Sequence, residues 1–270
     1  MLDISSIFGD EPTYFYKFLD CEGAKKTIEN GLKFSLPNAT NDPFEFRFGA
    51  YSETEAWLRG ELKEKLSQKA SPLIYQVDNI DSYVQSIPYE QLLSWLELKE
   101  NAKKLQDKIS RYYGFCSFST KKDNLLMWAH YAQSFSGVVF CFTKYAFQNL
   151  KPRKVKYSEK RVSFPYNLNI PEEQLREKCL ELLSTKSKDW EYEDEWRIVS
   201  ELEKLNKLNN IYMLPIEKRG LAEVIFGPAI SDENYFKIKT EVKKRFPRTC
   251  FYRAVYDKIE YKLHFERIIN

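Results

Sequence analysis

Glycine is scarce in this chain and histidine nearly absent: 9 glycines and 2 histidines in 270 residues. The glycines form neither G-x-x-x-x-G-K-[ST] nor G-x-G-x-x-G, which excludes a P-loop and a Rossmann phosphate-binding turn. Any nucleotide must be held by side chains and ordinary backbone. His130 and His264 cannot build a multi-histidine metal centre. The five cysteines (Cys21, Cys116, Cys141, Cys179, Cys250) lack a C-x-x-C, which argues against a zinc site or a disulfide framework. Cys116 and Cys141 sit in apolar runs, where a free thiol behaves as a small hydrophobe. No apolar run approaches about 18 residues, so no membrane-spanning helix and no membrane partner are expected. Met1 to Pro12 is acidic and mixed, so no signal peptide is expected and the cytoplasm is the expected compartment. A strong charge of one sign is also missing: 42 Lys and Arg face 39 Asp and Glu, for a formal +3, so bulk electrostatics favour no nucleic acid or membrane.

Aromatic residues are abundant, at 16% with 18 Tyr and 19 Phe, which suits a β-rich core and pockets that stack planar rings. Hydrophobic residues at 43% and charged residues at 30% make a globular composition. Tyr14 to Phe18 reads as a first strand, a helix follows through Gly23 to Glu29, and Asn30-Gly31 stops it as a left-handed cap. Leu32 to Leu36 alternates as a second strand and leads into the polar turn Asn38 to Pro43. Between Ser52 and Tyr113 the pattern becomes long amphipathic helix, with Leu92, Trp95, Leu96, Ala102, Leu105, Ile109 and Tyr112 at helical spacing. That stretch reads as a helical insertion or lid in a single domain covering residues 1–270.

Phe115 to Ser119 reads as the next strand, Asn124 to Gln133 as a short helix, and the apolar run Val138 to Phe142 as a central strand. Lys154 to Tyr157 is a short strand, and Pro171 opens a helix through Leu183. Trp190 to Val199 alternates as a strand, and Ile211 to Ile216 and Glu223 to Phe226 are two more. Ser231 caps a helix to Phe246, and Phe251 to Val255 with Tyr261 to Ile268 close the chain. Strands outnumber helices in irregular order, which predicts an α+β fold with a mixed, largely antiparallel sheet.

Four segments can carry chemistry. Asn41-Asp42-Pro43-Phe44-Glu45 is a bent corner with two carboxylates and an amide, since Pro43 keeps Asp42 out of the helical region; a plain Asx turn is the simpler account. In Leu125 to Tyr131, Met127, His130 and Tyr131 share one helix face with Trp128 a quarter turn away. His130 there is either a core histidine or a positioned donor. In Trp190 to Val199, strand period puts Glu191, Glu193, Glu195 and Arg197 on one face. Three like charges tend to raise a pKa, and the cluster costs stability unless something cationic meets it. Lys151 to Lys156, followed by Tyr157, is a basic run able to touch RNA backbone, or an edge strand protected by lysines.

Together these segments resemble a bacterial family of domains of unknown function. Its marks are an opening Tyr-x-Tyr-Lys strand (Tyr14 to Lys17), the Asn-Asp-Pro-Phe-Glu corner (Asn41 to Glu45), the segment Cys116 to Gly137, and Trp-x-Tyr-Glu-x-Glu-Trp-Arg (Trp190 to Arg197). A looser resemblance is to ADP-ribosyltransferases, which carry a basic or aromatic residue early, a Ser-Thr motif in the middle and a late glutamate, often Glu-x-Glu. Tyr16-Lys17, Phe118-Ser119-Thr120 and Glu193-Asp194-Glu195 follow that order. Such enzymes bind NAD without a glycine-rich loop.

The resemblance implies NAD as substrate, no metal, and cleavage of the nicotinamide–ribose bond through an oxocarbenium-like centre. Glu195 would hold the ribose and stabilise the charge, and Glu193, roughly 7 Å along the strand, would orient an acceptor, either protein or nucleic acid. Ser119 with Thr120 would shape the nicotinamide pocket. Lys17 or His130 would meet the pyrophosphate, with Tyr16, Asn41, Asp42, Trp128, Tyr131 and Arg197 completing the binding surface. By family analogy the setting is a bacterial toxin or a phage-defence effector. Two other readings stay open: a metal-dependent nuclease or phosphodiesterase with Asp42, Glu45, His130, Glu193 and Glu195 as Mg²⁺ or Mn²⁺ ligands, and a non-catalytic nucleotide-binding sensor.

Overall fold

The computed structural model describes residues 11–40, 42–47, 49–51, 55–68, 79–89, 91–92, 106–165 and 171–269. Its strands are β1 (Phe15–Leu19), β2 (Leu32–Phe34), β3 (Gly49–Tyr51), β4 (Tyr113–Ser119), β5 (Val138–Phe142), β6 (Pro152–Lys154), β7 (Lys156–Ser158), β8 (Ser163–Pro165), β9 (Thr185–Ser187), β10 (Glu195–Glu201), β11 (Asn206–Leu208), β12 (Ile211–Leu214), β13 (Leu221–Phe226), β14 (Cys250–Tyr256) and β15 (Leu263–Arg267). The helices are α1 (Cys21–Asn30), α2 (Glu55–Gln68), α3 (Ile80–Ser86), α4 (Leu125–Tyr131), α5 (Glu172–Leu183) and α6 (Asp232–Arg245).

One eight-stranded sheet, in the order β15-β14-β13-β5-β1-β4-β10-β6, organises the molecule. Every neighbouring pair in it is antiparallel except β13 and β14, which are parallel. Parallel neighbours need a crossover, and α6 supplies it between them. The fold is therefore α+β on a mixed, mostly antiparallel sheet, as the irregular order of strands predicted. The apolar run of β5 is buried along its whole length, between β1 and β13.

Both faces of the sheet are covered. On one, Phe15, Phe118, Phe140, Phe142 and Ile198 meet Ala24 and Ile28 of α1 and Ile238 and Val242 of α6 in the main core. Phe15 packs edge-to-face against Phe118, Phe147 and Trp196, the geometry that ring quadrupoles prefer. On the other face, Phe18, Val139 and Ile225 pack with Met127 and Trp128 of α4.

Local signals explain the element ends. Gly31 closes α1 with φ 101°, its N–H donating to Thr27 at 3.0 Å, and a Cβ there would lie 2.2 Å from the Leu214 carbonyl oxygen. Ser231 Oγ accepts the Asn234 N–H at 3.4 Å to start α6. Pro171 stands one residue before α5, as its N-cap and not in its first turn. Leu62 of α2 and Val84 of α3 form a satellite cluster with Ile87 and Leu92, while Ile109 packs with Phe46, Phe115 and Leu183. Trp95, Leu96, Ala102 and Leu105 lie outside the described residues.

The strand expected over Lys154 to Tyr157 is instead two, β6 and β7, broken at Val155 and paired with β10 and β9 respectively. A second expectation fails over Trp190 to Val199. Trp190 to Val199 is not a single strand: Lys188–Glu193 wind as a 3-10 turn, Asp194 is left-handed at φ 45°, and β10 begins at Glu195. Tertiary bonds override the alternation. The Asp194 carboxylate accepts the Thr120 hydroxyl, its carbonyl accepts the Thr120 N–H at 3.3 Å, and Asn124 Nδ2 donates to the Tyr192 carbonyl at 2.5 Å. Glu191 is thereby turned out to solvent, and Trp190 lines a cleft.

Candidate functional site

That cleft, of about 400 Å³, opens on the α4 face of the sheet where β1 and β4 splay apart. β1 meets β4 only through the pair Tyr16 and Ser119, although it runs in full register with β5. Ser119 is in turn the direct partner of Glu195 on β10. Cross-strand partners share a face, so Tyr16, Ser119 and Glu195 stand in one row over three adjacent strands. The next residue on that face of β10 is Arg197, opposite Ser117.

Arg197 is the centre of the site. It is 0% exposed, yet each end of its guanidinium is bonded: Nε donates to Glu195 Oε1 at 2.7 Å, Nη2 to Glu195 Oε2 at 3.0 Å, and Nη1 to the Leu183 carbonyl at 2.9 Å. Nη2 also bonds Glu45, and the rings of Phe46 and Phe115 lie 5.0 Å from the guanidinium carbon. Glu45 arrives from the corner after Asp42, which is an Asx turn: Phe44 N–H donates to Asp42 Oδ1 at 2.8 Å. The simpler account of that corner holds, and its product is a placed carboxylate.

A second cation, Lys186 on β9, lies between the two acids of the Glu-x-Glu pair. Its ammonium donates to Glu193 Oε2 at 2.5 Å and to Glu195 Oε2 at 3.3 Å, and sits 4.7 Å from the Trp190 ring centre. Tyr131 of α4 donates its hydroxyl to Glu193 Oε1 at 2.7 Å. Tyr157 Oη accepts the Glu195 backbone N–H at 2.7 Å. Three carboxylates (Glu45, Glu193, Glu195) thus share two buried cations.

The two acids of the pair are driven apart. Burial alone would raise the Glu195 carboxyl, but the Arg197 guanidinium, and after it the Lys186 ammonium, outweigh burial and hold it down at about 2. For Glu193 burial prevails over the pull of Lys186 and Tyr131 and pushes its carboxyl above the ordinary value. Lys186 stays protonated: burial works against its charge, but Glu195, Glu45 and Glu193 raise its pKa. Burial and the neighbouring Glu193 raise the Tyr131 phenol, which keeps it a proton donor. One permanently ionised carboxylate beside one that can take a proton is the arrangement that acid–base chemistry uses.

Of the residues singled out in sequence, Tyr16, Lys17, Asp42, Ser119, Tyr131, Glu193, Glu195 and Arg197 line this one cleft. Lys17 is partly committed, donating to the Ser117 carbonyl at 3.0 Å. Three do not line it. Trp128 is 0% exposed and donates its indole N–H to the Lys122 carbonyl at 2.8 Å, a core role. Thr120 fastens Asp194. His130 is exposed; about 100° of helix rotation separates it from Tyr131, which takes the place at the cleft. Asn41 lies outside the described residues. Sequence reading passed over Lys186 and Lys33, and took Tyr157 only as the aromatic beside the basic run. The acid cluster did demand a cation, but nothing local points to β9 as its source.

Residues 127–198, which carry Tyr131, Lys186, Glu193, Glu195 and Arg197, match a family model described as a protein of unknown function (DUF2971). No curated protein and no solved structure matches the chain. The family match thus covers the late wall of the cleft and supports a domain family of unknown function. Among the described residues no group of three or more His, Cys, Asp or Glu side chains is arranged to hold a metal ion, and no helix is long and apolar enough to cross a membrane.

Proposed function

We propose that the cleft binds NAD and that the protein cleaves its nicotinamide–ribose bond, passing ADP-ribose to an acceptor or to water. The observation that carries this reading is the row of Tyr16, Ser119 and Glu195 on three adjacent strands at the splay between β1 and β4. The three dispersed marks of the ADP-ribosyltransferase resemblance are therefore spatial neighbours. Cleaving the bond leaves positive charge on the ribose, and the ionised Glu195, its oxygens held by Arg197, acts on that charge through space and not through a bond to the ribose. Glu193, with its raised carboxyl pKa, is suited to take a proton from an acceptor. Arg197 and Lys186 hold the two acids in place and are positioning residues.

The metal-dependent nuclease reading is less well supported. Both oxygens of Glu195 are engaged by Arg197, so a divalent ion would have to displace a buried guanidinium. The test is incubation of the full chain with NAD labelled in the nicotinamide and in the adenine. Released nicotinamide, reduced at least about 100-fold in Glu195→Gln at a temperature where that variant is folded, is the expected result. NAD binding without release would assign the cleft to a sensor. Full turnover in Glu195→Gln would remove Glu195 from the chemistry.

A further inference from the structure

A second cleft, of about 290 Å³, adjoins the first, and the two share Glu45 and Lys186 as a common wall. The far side of that wall has a different character. Phe44, at the tip of the Asx turn, is 62% exposed, and Arg161 holds its guanidinium 5.5 Å from the ring centre. Arg47 and Lys160 line the same cleft. Lys160 and Arg161 end a strongly basic run: residues 151–161 contain Lys151, Arg153, Lys154, Lys156, Lys160 and Arg161 against the single acid Glu159. All six cations are exposed, and Glu159 is occupied by Lys188 at 3.5 Å. Among the described residues neither these six nor Arg47 forms an ion pair.

Unpaired cations along β6 alone, Arg153 and Lys154, would be explained as protection of an edge strand. That explanation does not reach Arg47, Lys160 and Arg161, which stand off the sheet around a concavity, nor an exposed ring with a guanidinium over it. A flat ring beside a track of free cations is what recognises an unpaired base and its phosphates.

We infer that the second cleft and the basic run bind a single-stranded nucleic acid and that this strand is the acceptor. The acceptor role rests on the NAD reading; the binding site does not. One base stacks on Phe44, phosphates lie on Arg47, Lys160 and Arg161, and the neighbouring nucleotide reaches the shared wall. In the transfer, the bond from ribose C1′ to nicotinamide breaks and its electron pair leaves with neutral nicotinamide. A ring nitrogen, amine or hydroxyl of the nucleotide forms the new bond to C1′, and its proton passes to the Glu193 carboxylate.

Fluorescence anisotropy of a labelled mixed-sequence 20-nucleotide single strand, DNA and RNA in turn, tests the binding over a range of salt concentrations. Phe44→Ala is expected to weaken binding about tenfold or more. The double variant K160Q/R161Q should flatten the dependence of log affinity on log salt by about 0.7 for each phosphate that is no longer neutralised. Lys244→Gln, on the far helix α6, should change neither. Salt-insensitive binding, equal loss in the Lys244 variant, or full competition by poly-glutamate would overturn the site. Full displacement of the strand by ADP-ribose would make the second cleft part of the NAD site and overturn it too. Adenine label from NAD appearing on the added strand supports the acceptor role, and label confined to protein refutes it. Strand binding without nicotinamide release refutes the NAD reading and the acceptor role while leaving the binding site standing.

Discussion

Replacing Arg197 with leucine isolates the ion network from the chemistry. The substitution keeps an apolar side chain between Phe46 and Phe115 but removes every bond the guanidinium makes to Glu195, Glu45 and Leu183. Breaking a buried pair by deleting one partner costs about 3–5 kcal/mol, because the other charge stays buried. The Glu195 carboxyl gives a second route to the same figure. Its fall from an ordinary 4.5 to about 2 in the folded protein corresponds to roughly 3 kcal/mol. A depressed carboxylate pKa stabilises the fold above the unfolded value, and the contribution is lost as pH drops from about 4.5 toward 2. Without Arg197 that contribution is gone at every pH. The variant should therefore melt roughly 10 °C below the wild type at pH 7, and roughly half of the stability difference should have disappeared by pH 3. Thermal unfolding followed by circular dichroism at both pH values measures it. A loss under about 1 kcal/mol at pH 7, or one that is the same at pH 3, would show that the network does not hold Glu195 ionised.

Other consequences are equally open to measurement. Tyr131→Phe removes a donor from Glu193, so the Glu193 carboxyl rises further and the acid limb of the pH–rate profile for NAD turnover moves to higher pH; an unmoved limb would take Glu193 out of proton transfer. Gly31→Ala places a Cβ 2.2 Å from the Leu214 carbonyl at φ 101°, and a loss of at least about 2 kcal/mol in denaturant unfolding is expected; a neutral result would mean that α1 ends differently.

The fold class, most strands, the helix stop at Gly31, the helix start at Ser231, and the central place of Val138–Phe142 were legible in the residues, because each depends on local conformation and on which face is apolar. The strand assigned to Trp190–Val199 was wrong in its first half for a reason outside the segment. Thr120 and Asn124, some 70 positions earlier, bond Asp194 and Tyr192 and fold the acids into a turn. His130 and Trp128 do not line the cleft that Tyr131 lines, because helical spacing tells which residues share a face but not which part of that face meets a cleft.

What the sequence determined on its own was an inventory: a β-rich aromatic core, no glycine-rich phosphate loop, and an acid cluster that needed a cation. Which cation answers it, which acid is pinned as an anion, and that Tyr16, Ser119 and Glu195 form one row were decided only by tertiary structure. Strand pairing joins residues a hundred positions apart. The charge state of a buried carboxylate depends on neighbours such as Arg197 and Lys186, whose attraction is strong because so little water lies between.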